Sequence, residues 1–431
     1  MKFISVLLVC LIATCLTAQD IRLEPLADLP MRTSNNAVVE GFANGKAYIY
    51  SFGGIDETKD HSGIHLRSFR LDVENNVWEE LAPLPDDRGK IASSASRVGN
   101  IIYIIGGYHV AANGTEKSSS KVHRFDITTN TYLTDGADIP TAIDDQVQVV
   151  RGDLIYVVTG WSDNRNVPFV QVYNTVTDTW DRANFLPNNE NYLVFGASGT
   201  IVKDTIFYYG GAGGFVFNPS AILRKGVISA DDPLRIEWSI ISPMGTPTSY
   251  RTASSNFSGQ PYWFGGSEGS YNFDGIAYNG SGGVDPAGTI QKLDTETGLW
   301  QTWEVDLPMD LRSVGELSAR EKVIVGGMTS GQEVSNQVWK VTIDGISSTR
   351  TIDELDLTIF PNPTSDLLTV STEFMIKEYS ILDNQGRLLF HNEVDPKNAI
   401  ELDVSELPNL TYYLKLKGED QNIRISPFVK N

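Results

Sequence analysis

The chain alternates short apolar runs with polar turns, and one pattern returns six times. An apolar strand ends in glycine: YIYSFGG at Gly53, IIYIIGG at Gly106, LIYVVTGW at Gly160, TIFYYGG at Gly210, PYWFGG at Gly265 and EKVIVGG at Gly326. Successive glycines lie 53, 54, 50, 55 and 61 residues apart. Runs of this length, rich in β-branched and aromatic residues and closed by glycine, predict strands. A second element follows most of them. An apolar residue precedes Asp or Asn, and an aromatic stands seven residues after it: Leu71-Asp72 with Trp78, Phe125-Asp126 with Tyr132, Tyr173-Asn174 with Trp180, Leu293-Asp294 with Trp300. The polar segments between them predict tight hairpins. Then come Leu84-Pro85, Ile139-Pro140, Leu186-Pro187 and Leu307-Pro308, where proline ends an outer strand.

Each unit therefore reads as a four-stranded sheet that cannot bury its faces alone, so the units must close into a ring. Glycine lets backbones pack near the axis, and the Trp packs between neighbours. The sixth unit stops after QVWKVTID without a fourth strand. Leu23 stands seven residues before Pro30, as Trp78 does before Pro85. The segment DIRLEPLADLP is thus expected to supply the missing outer strand.

Over about residues 20–346 these features resemble the kelch repeat, whose period is near 50 residues. The resemblance implies an all-β fold, a six-bladed kelch β-propeller. Blade three reads Gly160-Trp161 in place of a glycine pair, blade four has a longer hairpin before Trp238, and the last blade lacks a clear hairpin Trp.

Residues 347–356 form a polar linker, and residues 357–431 carry strand patterns again. They predict a small C-terminal β-sandwich, with Asn384-Gln385-Gly386 as a hairpin signal. This tail resembles the type A C-terminal sorting domain of the type IX secretion system of Bacteroidota. The opening motif is met by Leu357, Ile359, Phe360, Pro361, Asn362 and Pro363, the hairpin by Gly386 and Arg387, and the basic finish by Lys430. Asp403-Val404-Ser405, Leu407-Pro408 and Tyr412 meet the late motif, while Leu410 stands where the family usually has Gly. The resemblance implies the type IX secretion machinery as a partner, and release or surface attachment as the destination.

Residues 1–19 agree with export. Lys2, an apolar run from Phe3 to Ile12 and small residues after it read as a secretory signal peptide, too short to span a bilayer comfortably. Both cysteines, Cys10 and Cys15, lie in this leader, so the mature chain has no disulfide, cysteine nucleophile or thiolate metal site. No integral membrane segment is expected after the leader. The net charge of −20 repels nucleic acid and anionic lipid.

Candidate chemistry is sparse. Five histidines are scattered, there is no HExxH and no G-x-S-x-G, and no metal or cofactor is expected. A copper-radical site like that of galactose oxidase needs a Tyr–Cys crosslink, which a chain without mature cysteine cannot form. Arg32, Arg88, Arg251 and Arg312 follow the proline-bearing turns, with Glu316 four residues after Arg312 and with Asp144 and Asp145 in a similar stretch of blade three. In projection the arginines ring one mouth of the channel, where they would focus an acidic ligand. The longest insertion, Ser267 to Gly288, interleaves Tyr271, Phe273 and Tyr278 with Asn272 and Asp274. Together with Trp161, Tyr108 and His109, it offers faces suited to sugar rings. Two readings stand. One is an exported or cell-surface binding module for a glycan or surface protein. The other is a carbohydrate-active enzyme, resembling the sialate epimerases and mutarotases or, with no distinct motif, a polysaccharide lyase. It would use Arg312 with Glu316, or Arg251, as catalytic groups.

Overall fold

The glycine-ended strands are the second strands of six antiparallel sheets in the computed structural model. It describes residues 20–241, 245–295, 297–344, 357–383, 388–418 and 423–431. The expected leader, the linker and the 384–387 hairpin with Gly386 lie outside the described residues. The chain divides into two compact units, Met1–Ile346 and Ser347–Asn431.

The first unit is a six-bladed propeller. Blade one runs outward as Ala37–Ala43, Lys46–Ile55, Ile64–Asp72 and Val77–Leu81. The inner strands of the next five blades are Ile91–Val98, Val147–Arg151, Phe195–Val202, Ala253–Phe257 and Gly315–Glu316. Blade six is closed by the N-terminal strand Asp20–Pro25, antiparallel to Val338–Asp344, with Leu23 opposite Val341 and Pro25 opposite Trp339. The ring is thus closed by joining its two ends, as the Leu23–Pro30 spacing predicts.

The seven-residue spacing places cross-strand partners side by side. Leu71 faces Trp78, Phe125 faces Tyr132, Tyr173 faces Trp180 and Leu293 faces Trp300. The Asp or Asn between them shapes the turn, its carboxyl or amide oxygen accepting a backbone N–H two or three residues on. Asp72 takes Asn75 at 3.0 Å, Asp126 takes Thr128 at 2.7 Å and Asn174 takes Val176 at 3.0 Å. The aromatics then join blades. Trp78 packs among residues of blades six and one, Trp180 between two and three, and Trp300 between four and five.

Nearer the axis the contacts are backbone to backbone. The second residue of each glycine pair (Gly54, Gly107, Gly160, Gly211, Gly266, Gly327) donates its N–H to the carbonyl of the segment entering the next blade, at 2.8–3.1 Å. Where that preceding residue is glycine, a Cβ built on it would strike that segment. At Gly326 it would lie 2.1 Å from the Thr33 carbonyl, with φ at +68°. Blade three corrects the sequence reading. Gly160 makes the second-glycine bond, to Val194 at 3.1 Å, and Thr159 holds the first-glycine place at φ 46°. The departure is therefore Thr for Gly, and Trp161 is the ordinary residue after the pair.

Two residues beyond each acceptor lies a second ring. Asn35, Ala92, Asp145, Gly196, Arg251 and Asp310 all have left-handed φ, between 45° and 65°. Their backbones bond blade to blade. Ala92 N–H donates to Asn35, Asp145 to Ala92, Gly196 to Asp145, Arg251 to Gly196, Leu311 to Arg251 and Asn35 to Asp310, at 2.8–3.3 Å. The belt closes on itself.

The second unit is a small β-sandwich. Its strand Leu367–Leu382 pairs with Leu357–Phe360 at one end, Thr411–Gly418 at the other, and Leu388–Asp403 throughout. Register shifts between Ser371 and Ile376 let the sheet fold over a core of Leu368, Val370, Ile381, Leu402, Leu414 and Phe428. Asn362 accepts the Val429 N–H at 2.9 Å, and Thr364 exchanges backbone bonds with Val429 and Asn431. Lys430 N–H donates to the Leu410 carbonyl at 3.0 Å. The opening motif is thus clasped to the end of the chain. Leu410 makes its turn without a left-handed φ.

Gly326→Ala is expected to lose roughly 2–4 kcal/mol from φ strain and overpacking together. Gly99→Ala, also left-handed but in open space, is expected to lose about 1 kcal/mol from φ strain alone. Urea denaturation of the two variants checks the difference.

Candidate functional site

The backbone belt sets side chains across the channel mouth. Arg251 is fully buried and bridges two carboxylates. It donates to Asp145 at 2.7 and 3.2 Å and to Asp310 at 3.0 Å. Asp310 also accepts the Ser34 hydroxyl at 2.6 Å. Arg312 donates to Asp145 Oδ1, which it shares with Arg251, at 2.7 Å and to the Gln146 carbonyl at 3.0 Å. Two guanidiniums and two carboxylates from blades three, five and six thus plug the channel. The planar guanidinium fork suits such pairing.

Above this plug lies a pocket of about 130 Å³. One wall is aromatic. Trp161 lies 5.4 Å from Phe195 and 5.3 Å from Phe217 between ring centres, and Tyr278 lies 4.9 Å from Phe217. Glu116, Asp144 and Asn272 supply polar groups, and Tyr108, Asp145 and Arg251 also reach it. Asp144 is buried and accepts the Ser118 hydroxyl at 2.6 Å. Burial holds its carboxyl well above the usual range, and the adjacent Asp145 charge adds to the effect.

The insertion of blade five covers this mouth. Tyr271 is buried against Tyr250, with ring centres 5.1 Å apart, beneath the Arg251 guanidinium. Phe273 packs against a cluster of blades one and two that includes Ile55, Ile91 and Tyr108, and Gln332 of blade six bonds the Val284 carbonyl at 2.9 Å. Of the residues expected from sequence, Trp161, Tyr278 and Arg251 line the pocket, as do Tyr108, Asn272, Asp144 and Asp145, while Tyr271 and Phe273 brace its roof. The four arginines do not share one register. Arg32 and Arg88 are exposed, and Arg32 donates to the Val334 carbonyl at 3.1 Å. Arg312 and Glu316 are not brought together. Glu316 sits further along the inner strands, in a polar stretch of channel of about 340 Å³ with Glu40, Arg97 and Gln148. There it bonds Ser255 and pairs with Lys322 at 3.3 Å.

Residues 37–266 match the family model described as the KLHDC2/KLHL20/DRC7 Kelch-repeats domain. The chain belongs to the kelch-repeat family. Residues 358–430 match the Secretion system C-terminal sorting domain, so the kelch propeller is followed by a type IX sorting domain, which marks it for export. Kelch-like protein 36 of Bos taurus is 26% identical over 200 residues, covering 46% of this chain and 30% of that protein. Human Kelch-like protein 15 is 28% identical over 155 residues, covering 35% and 24%. The match therefore spans less than a third of these relatives' own length. The solved "Structure of YjhT" aligns with a TM-score of 0.59 at 15% identity, over 74% of this chain and 99% of that one. This likeness shows the fold.

Sequence reasoning missed Phe195, Phe217, Glu116 and Asp310 at the kelch propeller's mouth. Asp310 had a signal, since it takes the same place in its blade as Asp145 and Arg251 take in theirs. Phe217 sits in the Gly-rich hairpin GAGGFVFNP of blade four, a loop of the kind that carries binding residues.

Asp144→Asn tests the buried carboxyl. A raised folded pKa gives stability that is present below the unfolded value, near 4, and is lost as pH rises. The variant is expected to match the parent near pH 4 and to exceed it at pH 7. The gain grows by about 1.4 kcal/mol per pH unit above pH 4 until the folded pKa is reached. Urea melts across pH read it directly.

Proposed function

We propose that the protein is an exported binding module, secreted or held at the outer cell surface, whose kelch propeller takes a glycan or a surface protein at this pocket. The observation that carries the reading is the two-sided pocket over the plugged channel. An aromatic wall of Trp161, Phe217 and Tyr278 stands with Glu116, Asp144 and Asn272. Such a site suits a sugar ring, with its apolar C–H face and polar rim, or an amphipathic protein side chain. Its parts come from loops of four consecutive blades, held on a rigid ring. Export by the leader and then the type IX route is supported by the sorting domain. The arginines that an epimerase would turn toward a substrate carboxylate, Arg251 and Arg312, are already engaged by Asp145, Asp310 and Gln146.

A glycan array and a cell-surface pull-down with the mature chain test the module. A specific ligand whose capture falls about tenfold in Trp161→Ala supports it, a loss typical of a buried aromatic anchor. Blank results in both assays overturn it. Deleting residues 357–431 is expected to leave the propeller in the periplasm, read by fractionation and immunoblot. Truncated protein in the medium would refute the address.

A further inference from the structure

The acidic groups at the pocket are not all paired. Asp145 and Asp310 are matched by Arg251 and Arg312. Glu116 and Asp144 make no ion pair among the described residues, and the Arg251 charge that acts on both is already engaged by Asp145 and Asp310. The nearest lysine in sequence, Lys117, pairs with Asp163 instead. Two carboxyl groups therefore share a small pocket with Trp161, Phe217 and Tyr278. A carboxylate beside an aromatic face is the arrangement that holds a desolvated cation, by charge-assisted hydrogen bonding on one side and the ring quadrupole on the other. It repels the acidic ligand that an arginine ring would have drawn.

A second feature adjoins the pocket. The blade-four hairpin pairs Gly213 with Asn218 and carries Phe215 and Val216 at its tip. Phe215 is wholly exposed and Val216 is 61% exposed, while the next residue, Phe217, lines the pocket. An apolar tip continuous with a binding pocket is the anatomy of a protein contact, where an aromatic anchor lies beside a charged pair.

Resting on the binding-module reading, we propose that the pocket takes a basic side chain, Arg or Lys, of a protein partner whose apolar surface covers Phe215 and Val216. The guanidinium or ammonium lies between the acidic groups and the aromatic wall. The hairpin tip supplies the apolar contact next to it. The pocket volume, about 130 Å³, fits one side chain rather than a chain of sugar rings.

The test is calorimetry on the mature full-length chain. The probes are the amidated peptides Ala-Leu-Arg-Leu-Ala and Ala-Leu-Glu-Leu-Ala, glucuronic acid, a neutral N-acetylglucosamine trimer and a glucosamine trimer. Only the Arg peptide is expected to bind saturably. Its affinity is expected to fall about tenfold or more in Glu116→Gln and in Trp161→Ala, and severalfold in Phe215→Ser. Glu116 and Phe215 are exposed, so these two variants fold whatever Asp144 tolerates. Preference for the Glu peptide or glucuronic acid overturns the inference, as does Arg-peptide binding that Glu116→Gln leaves unchanged. Tighter binding of the glucosamine trimer keeps the cation but overturns the protein partner. Trp161-dependent binding of the neutral trimer alone overturns the inference and leaves the module reading standing. No binding of any probe overturns the inference, and the module reading is then decided by the array and pull-down.

Discussion

The propeller depends on one constraint: at the axis, neighbouring blades meet through backbone rather than side chains. Each blade's second strand ends where an N–H reaches the carbonyl of the next entering segment. Two residues later that segment bends through a left-handed φ and bonds to its neighbours in the belt. Left-handed angles cost an L-residue about 1–2 kcal/mol each. Five of the six belt residues are not glycine, so the closed belt must over-determine their conformation. Closure by Asp20–Pro25 is therefore needed throughout, since an open ring leaves both belt and blade faces unpaired.

The same constraint builds the site. Asp145, Arg251 and Asp310 are belt residues, so the backbone that closes the ring also fixes the side chains that plug it. Burying two guanidiniums and two carboxylates costs several kcal/mol of desolvation per ion, which their mutual attraction offsets only with good geometry. Here each guanidinium contacts a carboxylate at 2.7–3.0 Å. The cluster ties blades three, five and six across the channel and turns an open mouth into a floor. Asp144 stands beside it without an ion pair of its own, and an acid that burial disfavours is kept more readily where it serves recognition than where it serves stability.

How much of this was legible follows from what each residue does. The glycines, the turn Asp and Asn residues and the facing aromatics act on neighbours at fixed spacing, so period and pattern reveal them. Thr159 misled the alignment of blade three because its left-handed angle is held by its bonds to Phe169 and Val194, not signalled by its residue type. The arginines misled more deeply. Arg32, Arg88, Arg251 and Arg312 all follow a proline turn, yet they lie at different distances from the belt residue of their blade. On an extended chain an odd offset turns a side chain to the other face, and an even one carries it along the same face to another height. Projection by sequence order could not see that, nor that Arg312 and Glu316 stand about 13 Å apart along an extended segment. Phe217 and Glu116 were hidden because loop residues are placed by hairpins whose reach no periodicity encodes.

The tail was easier to read than the pocket for a physical reason. In the sorting domain the motif residues are themselves the contacts. Asn362 caps the last strand, Thr364 brackets the terminus, and Lys430 meets the Leu410 turn through its backbone. A motif that is its own structure repeats whenever the structure does, even where Leu410 replaces a glycine, because the turn there needs no left-handed angle. The pocket obeys the opposite logic. Its frame is set by a belt of backbone bonds, indifferent to most side chains above it, so Trp161, Phe217 and Glu116 are free to differ from one propeller to another. A fold held at its axis by main chain leaves its mouth open to any chemistry. The ligand must then be argued from charge and shape at the mouth, not from the repeat that supports it.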